Sequence, residues 1–329
     1  MEYRKLGKTD MTVSAISMGC WGIISDAHWG TRDEADSLAT IRAALDVGIN
    51  FFDTAEAYGD GDSEVLLGKA LASRRQQVMI ATKVSESHLG GEEVQAACER
   101  SLRRLNTDYI DLYQIHWANH SIPIAETAEA LMRLREQGKV RAIGVCNFGV
   151  RDLSDILEIT HCETNQLPYN LIWRAIEYEI VSKCAEDGVA ILCYSPLMHG
   201  LLTGNFCMAD EVPEGRARTR HFSKDRLKVR HREPGCEEET FATIDKIRQI
   251  SNATGHSMAD LAISWLLHHP NVSSVAVGAR NPDQLRNNVR ALTVRLSPDT
   301  LAELDAASSG LKTTLGSNPD LWQSESRFR

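Results

Sequence analysis

The feature that most constrains the fold of this 329-residue chain is an alternation of strand and helix patterns from about residue 14 to residue 292. Short apolar runs alternate with segments whose apolar residues recur at helical spacing, which is typical of repeated βα units. The candidate strands are residues 14–19, 49–52, 78–82, 110–115, 141–145, 162–166, 189–194 and 273–278. Eight parallel strands with intervening helices predict a single α/β barrel of the (β/α)8 or TIM type.

A doubly wound open sheet is the alternative fold for such an alternation. Its usual dinucleotide signature is G-x-G-x-x-G after a strand, and this pattern follows none of the candidate strands. Residues 3–6 and 12–13 flank the turn sequence 7–10 and predict an N-terminal β-hairpin that plugs the bottom of the barrel. The closed barrel therefore accounts for more of the sequence.

No low-complexity linker interrupts the chain, so we expect one domain over residues 1–329. An extended polar tail begins at about residue 311. It is either disordered, as terminal segments commonly are, or folded across the mouth of the barrel with Trp322 inward.

Local signals predict where helices begin and end. Thr31 and Glu34 have the spacing of a capping box, which predicts the start of the first helix, and Gly48 predicts its end. Residues 173–187, followed by Gly188, predict a helix before the seventh strand.

Composition and charge exclude several classes of protein. There is no apolar run of the roughly 18 residues that span a membrane, no secretory h-region, and no C-x-x-C pair among the eight cysteines. We therefore expect a cytoplasmic protein with reduced thiols and without a membrane partner. His116 and His120 have i, i+4 spacing but no third ligand is evident, so no metal site is expected.

The net charge of −9 argues against a nucleic-acid partner, with one local exception. Residues 216–232 contain eight Lys or Arg and a single acidic residue, Asp225. This segment is either a solvated surface or a lid that attracts an anionic cofactor or substrate.

Four polar residues lie at or just past the carboxyl ends of the first strands: Asp53, Tyr58, Lys83 and His116. In a TIM barrel those ends face one mouth, where the chemistry takes place. A tyrosine hydroxyl with an ordinary pKa of about 10 needs activation to act as an acid at neutral pH. A lysine ammonium about 4 Å away could lower that pKa by up to about three, so Lys83 is the expected activator of Tyr58.

Each of these residues has a structural interpretation as well. Asp53 and Lys83 could form a buried ion pair, Tyr58 could be anchored by its hydroxyl, and His116 could be a core histidine. Their shared position at strand ends favours a site, in which Asp53 holds Lys83 and His116 orients a carbonyl oxygen.

The segments that contain these four residues, together with several later ones, resemble those of the aldo-keto reductase family. The similar segments are 52–59 around Asp53 and Tyr58, 82–83 with Lys83, 111–116 with His116, and 144–148, 194–204 and 278–288. The resemblance implies an NADPH-dependent oxidoreductase that reduces aldehydes and ketones, with NADH as the alternative cofactor and a small-molecule carbonyl compound as the partner.

The resemblance also implies a set of cofactor-binding residues along the strand ends. Asn147 and Gln166 would hold the nicotinamide carboxamide, and the Tyr194 ring would stack on the nicotinamide. The full set is Trp21, Asp53, Asn147, Gln166, Tyr194, Ser195, Pro196, Leu197, Gly200, Gly278, Arg280, Gln284, Asn287 and Asn288. Trp21 and Trp117 are in addition candidates for an aromatic substrate wall, or else for core packing.

Two residues depart from the family pattern. Cys146 replaces the usual serine, and its thiol is a weaker hydrogen-bond donor towards the carboxamide. Asn205 stands where related chains often have lysine, so the basic segment 216–232 would have to supply that phosphate contact. A cofactor-binding regulatory subunit with little turnover and a metal-dependent isomerase or lyase are the alternative functions.

Overall fold

The strands and helices alternate along the chain as the sequence predicts. The computed structural model describes residues 1–25 and 30–329. The strands are β1 Tyr3–Lys5, β2 Thr12–Ser14, β3 Ile16–Gly19, β4 Phe51–Asp53, β5 Met79–Val84, β6 Ile110–Ile115, β7 Val140–Cys146, β8 Thr164–Pro168, β9 Ala190–Tyr194 and β10 Val272–Val277. The α-helices are α1 Glu34–Asp46, α2 Asp62–Leu71, α3 Gly91–Leu105, α4 Ile124–Glu136, α5 Val150–Leu157, α6 Ile180–Asp187, α7 Glu237–Thr254, α8 Met258–Leu267, α9 Pro282–Arg290 and α10 Pro298–Leu315.

Strands β3 to β10 form a closed barrel in which every neighbouring pair is parallel. Strand β10 pairs with both β9 and β3, which leaves no open edge. The predicted (β/α)8 barrel is confirmed. The organisation as a single domain stays a prediction.

The predicted N-terminal hairpin is also present, since β1 and β2 pair antiparallel with Tyr3 opposite Ser14. Its buried residues Leu6, Met11 and Val13 belong to one apolar cluster with residues of the barrel strands. The barrel residues of that cluster are Phe51, Ala81, Leu112, Ala142 and Leu192. The hairpin thereby closes the amino-terminal end of the barrel, so that the opposite end is the one available for a site.

Two predicted helix boundaries are wrong. The N-cap of α1 is Asp33, whose carboxylate accepts from the backbone N–H groups of Ala35 and Asp36, so the Thr31–Glu34 capping box does not form. The helix predicted at residues 173–187 begins only at Ile180, because Trp173 is fully buried and bridges to the backbone of Asn170. Tertiary packing of the indole overrides the local helical pattern there.

The chain after α10 follows a defined path held by two buried carboxylates. Asp320 is fully buried, accepts from the backbone N–H groups of Trp322 and Gln323, and pairs with Arg327. At the end of the chain, Asp152 of α5 donates its backbone N–H to the carbonyl of Arg329 and accepts from the Arg329 N–H. These contacts place the tail at the mouth of the barrel rather than in solvent.

No helix within the described ranges has the length and apolarity needed to cross a membrane.

Candidate active site

A cavity of about 960 Å³ opens at the carboxyl ends of the barrel strands. That volume lies within the range of small-molecule and cofactor sites. Its lining includes residues at or next to the ends of six strands, namely Gly19, Asp53, His116, Cys146, Tyr194 and Val277.

At the floor of this cavity, Lys83 is held by two oxygen atoms. Its Nζ lies 2.8 Å from Asp53 Oδ2, 2.8 Å from the Thr54 carbonyl oxygen and 3.5 Å from Tyr58 Oη. Burial is the largest single influence on the pKa of Lys83 and lowers it, but the charge and hydrogen bond of Asp53, together with Tyr58 and Cys146, outweigh burial, so the pKa is raised and the ammonium stays charged. Lys83 itself is fully buried and lies behind Asp53 and Tyr58 instead of in the cavity lining.

The pKa of Tyr58 differs from the sequence-based expectation. Loss of water around its hydroxyl raises the pKa to about 12, and this exceeds the lowering by Lys83, which Asp53 also opposes. The expectation that Lys83 brings this pKa towards neutrality is therefore wrong for the structure. Tyr58 is a neutral phenol at physiological pH and carries the proton that an acid must deliver.

His116 follows β6 and meets Tyr58 edge to face, with ring centroids 5.7 Å apart. Burial, followed by the charges of Lys83 and Arg327, lowers the pKa of His116 to about 3. The imidazole is thus neutral and has one N–H donor to offer a carbonyl oxygen.

The two candidate nicotinamide-binding amides belong to the same hydrogen-bond network. Gln166 Nε2 donates to Asp53 Oδ1 at 2.7 Å, and Asn147 Nδ2 donates to the His116 carbonyl oxygen at 3.1 Å. Tyr194 Oη donates to Asn147 Oδ1 at 2.9 Å. Both amides are therefore fixed relative to the Asp53–Lys83 pair, within reach of one ligand.

Cys146 contacts both amides, since Asn147 Nδ2 lies 3.1 Å from its Sγ and the thiol lies 3.8 Å from Gln166 Oε1. Three non-glycine residues at this cavity have a left-handed backbone: Asn147, Ser195 and His199, with φ of 61°, 53° and 52°. Such conformations cost about 1–3 kcal/mol each and are concentrated at functional sites.

The other end of the cavity contains the remaining candidate cofactor residues. The lining there consists of Ser195, Pro196, Leu197, Gly200, Gly278, Arg280, Gln284, Asn287 and Asn288. Asn281 caps α9 by accepting from the Gln284 N–H at 2.9 Å, and the Gln284 side chain accepts from the Arg280 N–H at 2.9 Å. This positions Arg280 beside the amino terminus of a helix, where anions are favoured.

The structure thus brings every sequence-predicted cofactor residue, Trp21 included, into one cavity lining with Asp53, Tyr58 and His116. Trp117 also lines the cavity. The individual roles of these residues stay predictions. No group of three or more His, Cys, Asp or Glu able to hold a metal ion occurs in residues 1–25 and 30–329.

Comparison with known proteins identifies the family. The model of the Aldo/keto reductase family matches residues 15–309, nearly the whole chain. The chain belongs to the aldo/keto reductase family. The predicted NAD(P)H-dependent oxidoreductase of carbonyl groups is thereby confirmed at the level of the reaction class.

Relatives of this aldo/keto reductase match over most of their length. Aldo-keto reductase YhdN of Bacillus subtilis is 37% identical over 87% of both chains. The NADH-specific methylglyoxal reductase of Escherichia coli is 33% identical over 89% of this chain and 94% of its own.

Two solved structures share the fold. The glycerol dehydrogenase of Gluconobacter oxydans has a TM-score of 0.80 and 30% identity, covering 94% of this chain and 95% of its own. An aldo-keto reductase from Klebsiella pneumoniae in complex with NADPH has a TM-score of 0.73 and 30% identity, covering 93% and 95%.

Several arginines in or beside the cavity of this aldo/keto reductase were not individually predicted. The Arg32 guanidinium donates a hydrogen bond to the Arg280 carbonyl oxygen. Arg216 lies close to the Gly200 backbone, since its Nη1 is 3.4 Å from the position that a Cβ atom would take on Gly200. After burial, the charge of Arg280 is the largest influence that lowers the pKa of both Arg32 and Arg216. Three guanidinium groups are therefore close together at this end. One of them, Arg216, belongs to segment 216–232, and a phosphate contact from that segment stays a prediction.

The neutral state of His116 gives a prediction for the pH dependence of reduction. Its pKa of about 3 is depressed from the ordinary 6.5, so the imidazole stays neutral at every pH above about 5. We expect kcat for carbonyl reduction to show no break near pH 6.5, in the wild type and in His116→Asn alike. The measurement is kcat from about pH 5 to pH 9. A break near pH 6.5 that disappears in His116→Asn would show that the imidazole titrates in the working enzyme.

Proposed function

We propose that this chain reduces aldehyde and ketone groups to alcohols with NADPH, and that Tyr58 delivers the proton. The observation that carries the proposal is the position of Tyr58 Oη, 3.5 Å from Lys83 Nζ, which is 2.8 Å from Asp53 Oδ2. This protonated hydroxyl lies in the same cavity lining as the amides of Asn147 and Gln166.

The proton step follows from the charges around Tyr58. As negative charge develops on the carbonyl oxygen, the phenol donates its proton and becomes a phenolate beside the charged Lys83. An ammonium at this distance stabilises the phenolate by about 4–5 kcal/mol at an effective dielectric constant near 20, as an upper bound. Asp53 keeps Lys83 charged and in place, and neutral His116 orients the oxygen by its N–H donor.

The donor set of the cavity fits a nicotinamide dinucleotide phosphate. Amide side chains lie at the catalytic end, and the guanidinium groups of Arg216 and Arg280 line the end that contains the amino terminus of α9, with Arg32 beside them. Amides match a carboxamide, and guanidinium groups match phosphates. When bound, NADPH supplies the hydride, and this chain's residues bind it, position the substrate and deliver the proton.

The preference for NADPH is part of the proposal, because one relative is described as NADH-specific and another was solved with NADPH. Arg280 at the start of α9 is the residue we assign to the 2′-phosphate, which NADH lacks.

The state of the cysteines supports a cytoplasmic location, since all eight cysteines are unpaired and seven of them are buried.

Replacement of Arg280 by methionine tests the cofactor assignment. A charge-assisted hydrogen bond to phosphate contributes about 1.5–3 kcal/mol, so we expect the Kd for NADPH to rise roughly 10- to 100-fold and the Kd for NADH to rise far less. Arg286→Met is the matched control, because Arg286 is exposed on the same helix and pairs with Asp283 outside the cavity lining. Equal weakening of both cofactors would contradict the assignment of Arg280 to the 2′-phosphate.

The reaction itself is tested by mixing the protein with NADPH and a panel of aldehydes, ketones and dicarbonyl compounds. We expect oxidation of NADPH that depends on the carbonyl compound and yields the alcohol. Tight NADPH binding without oxidation by any member of the panel would overturn the proposal in favour of the regulatory subunit.

A further inference from the structure

Arg218, from the basic segment 216–232, lies at the catalytic end of the cavity close to two tryptophan rings. Its guanidinium carbon is 5.4 Å from the centroid of Trp21 and 4.6 Å from that of Trp322, and the residue is only 8% exposed. Trp21 in turn stacks on Tyr58, with centroids 6.0 Å apart and planes 20° apart. The indole of Trp21 is therefore next to both the Arg218 guanidinium and the ring of the proton donor.

A second arginine, Arg327 of the tail, reaches the same end from the other direction. Its guanidinium carbon lies 3.4 Å from the centroid of Trp117, the residue next to His116. Its charge contributes to lowering the pKa of His116, after burial and Lys83. Nε and Nη2 of Arg327 donate to the two oxygen atoms of the Asp320 carboxylate at 2.7 and 2.9 Å. This bidentate ion pair fixes the Arg327 guanidinium, and Nη1 takes no part in it.

The charges of the cavity lining are strongly unequal. Within residues 1–25 and 30–329, the lining contains five arginines and one carboxylate. The arginines are Arg216, Arg218, Arg230, Arg280 and Arg327. The carboxylate is Asp53, which is already paired with Lys83. Arg216 and Arg280 lie at the cofactor end, whereas Arg218 and Arg327 are guanidinium groups of the catalytic end, where the Asp320 carboxylate offsets part of the Arg327 charge.

We propose that the catalytic end of the cavity binds carbonyl compounds that carry an anionic oxygen group, a carboxylate or a phosphate, through Arg218 and Arg327. This inference rests on the proposed carbonyl reduction and adds the substrate class. A guanidinium that lies over an aromatic ring keeps its N–H donors at its edge, and these donors match carboxylate and phosphate oxygens. A neutral aldehyde has no group that gains from these two charges.

The test compares substrates that differ in the anionic group. The first pair is 4-oxobutanoate and butanal, and the second pair is glyceraldehyde 3-phosphate and glyceraldehyde. A charge-assisted contact changes affinity roughly 10- to 100-fold, so we expect kcat/KM of the wild type to favour the anionic member of at least one pair by about that factor. The preferred pair distinguishes carboxylate from phosphate recognition.

The variants Arg218→Met and Arg327→Met are expected to lose most of this preference, chiefly through a higher KM for the anionic substrate. Arg232→Met is the matched control, because Arg232 belongs to the same basic segment but is exposed and outside the lining. Since Arg327 also anchors the tail through Asp320, Arg327→Lys serves as a second variant that retains the charge, and it should restore part of the preference.

Two results would overturn the inference alone. The first is turnover of the neutral substrates by the wild type without preference for either anionic partner. The second is an equal loss for both members of a pair in the variants, which would show that the arginines only maintain the shape of the site. Absence of turnover with every substrate would overturn the proposed function as well.

Discussion

Tyr58→Phe is expected to lower kcat for carbonyl reduction by roughly 10²- to 10⁴-fold, the usual contribution of a positioned general acid. The substitution removes only the hydroxyl, whose sole side-chain neighbour at hydrogen-bonding distance among the described contacts is Lys83 Nζ at 3.5 Å. We expect the Kd for NADPH to stay close to that of the wild type, because the amides of Asn147 and Gln166 are held by other partners. Steady-state kinetics and fluorescence titration with NADPH measure the two quantities.

Tyr178→Phe is the matched control for this substitution. Tyr178 is 44% exposed and its hydroxyl donates to the Lys312 carbonyl oxygen, so its loss should leave kcat unchanged. A Tyr58→Phe enzyme with undiminished kcat would exclude Tyr58 as the acid, and loss of NADPH binding would show that the substitution disturbs the cofactor site.

Lys83→Met is expected to affect stability and activity together. Lys83 is fully buried, and among the described contacts its removal leaves the Asp53 carboxylate, only 5% exposed, with the Gln166 amide as its side-chain donor. An unpaired buried charge costs about 3–5 kcal/mol, so the free energy of unfolding should fall by about that amount. kcat should fall by roughly 10²-fold or more, because no charge then stabilises the phenolate of Tyr58.

The double variant Lys83→Met/Asp53→Asn separates these two effects. Removal of both charges should recover most of the free energy of unfolding, measured by urea denaturation, without recovery of kcat. Lys69→Met is the control, since Lys69 forms an exposed ion pair with Glu34 whose loss should cost no more than about 1 kcal/mol. A Lys83→Met protein as stable as the wild type would contradict the buried ion pair.

Much of the fold could be predicted because it depends on local patterns. Every one of the eight barrel strands was predicted within three residues at each end, since apolar runs of strand length between helical segments specify them directly. The hairpin followed from the turn at residues 7–10. The two wrong helix boundaries, at Asp33 and Ile180, were decided by a competing cap and by the burial of Trp173.

The candidate site was predictable only in part, for a physical reason. Strand-end residues such as Asp53 and Lys83 are brought together by the barrel itself, so their sequence positions suffice. The pKa of Tyr58 could not be predicted, because it depends on how completely its hydroxyl loses water as well as on Lys83. The arrangement around Arg327 could not be predicted either, since it depends on the path that Asp152 and Asp320 impose on the tail.

The most direct test of the proposed reaction is a single-turnover experiment with enzyme in excess over NADPH. The bound reduced cofactor is mixed with a carbonyl substrate, its absorbance is followed, and the alcohol is quantified. We expect one alcohol formed for each NADPH oxidised, at a rate that Tyr58→Phe lowers roughly 10²- to 10⁴-fold. NADPH that stays reduced on the wild-type protein in the presence of every carbonyl compound would contradict the account.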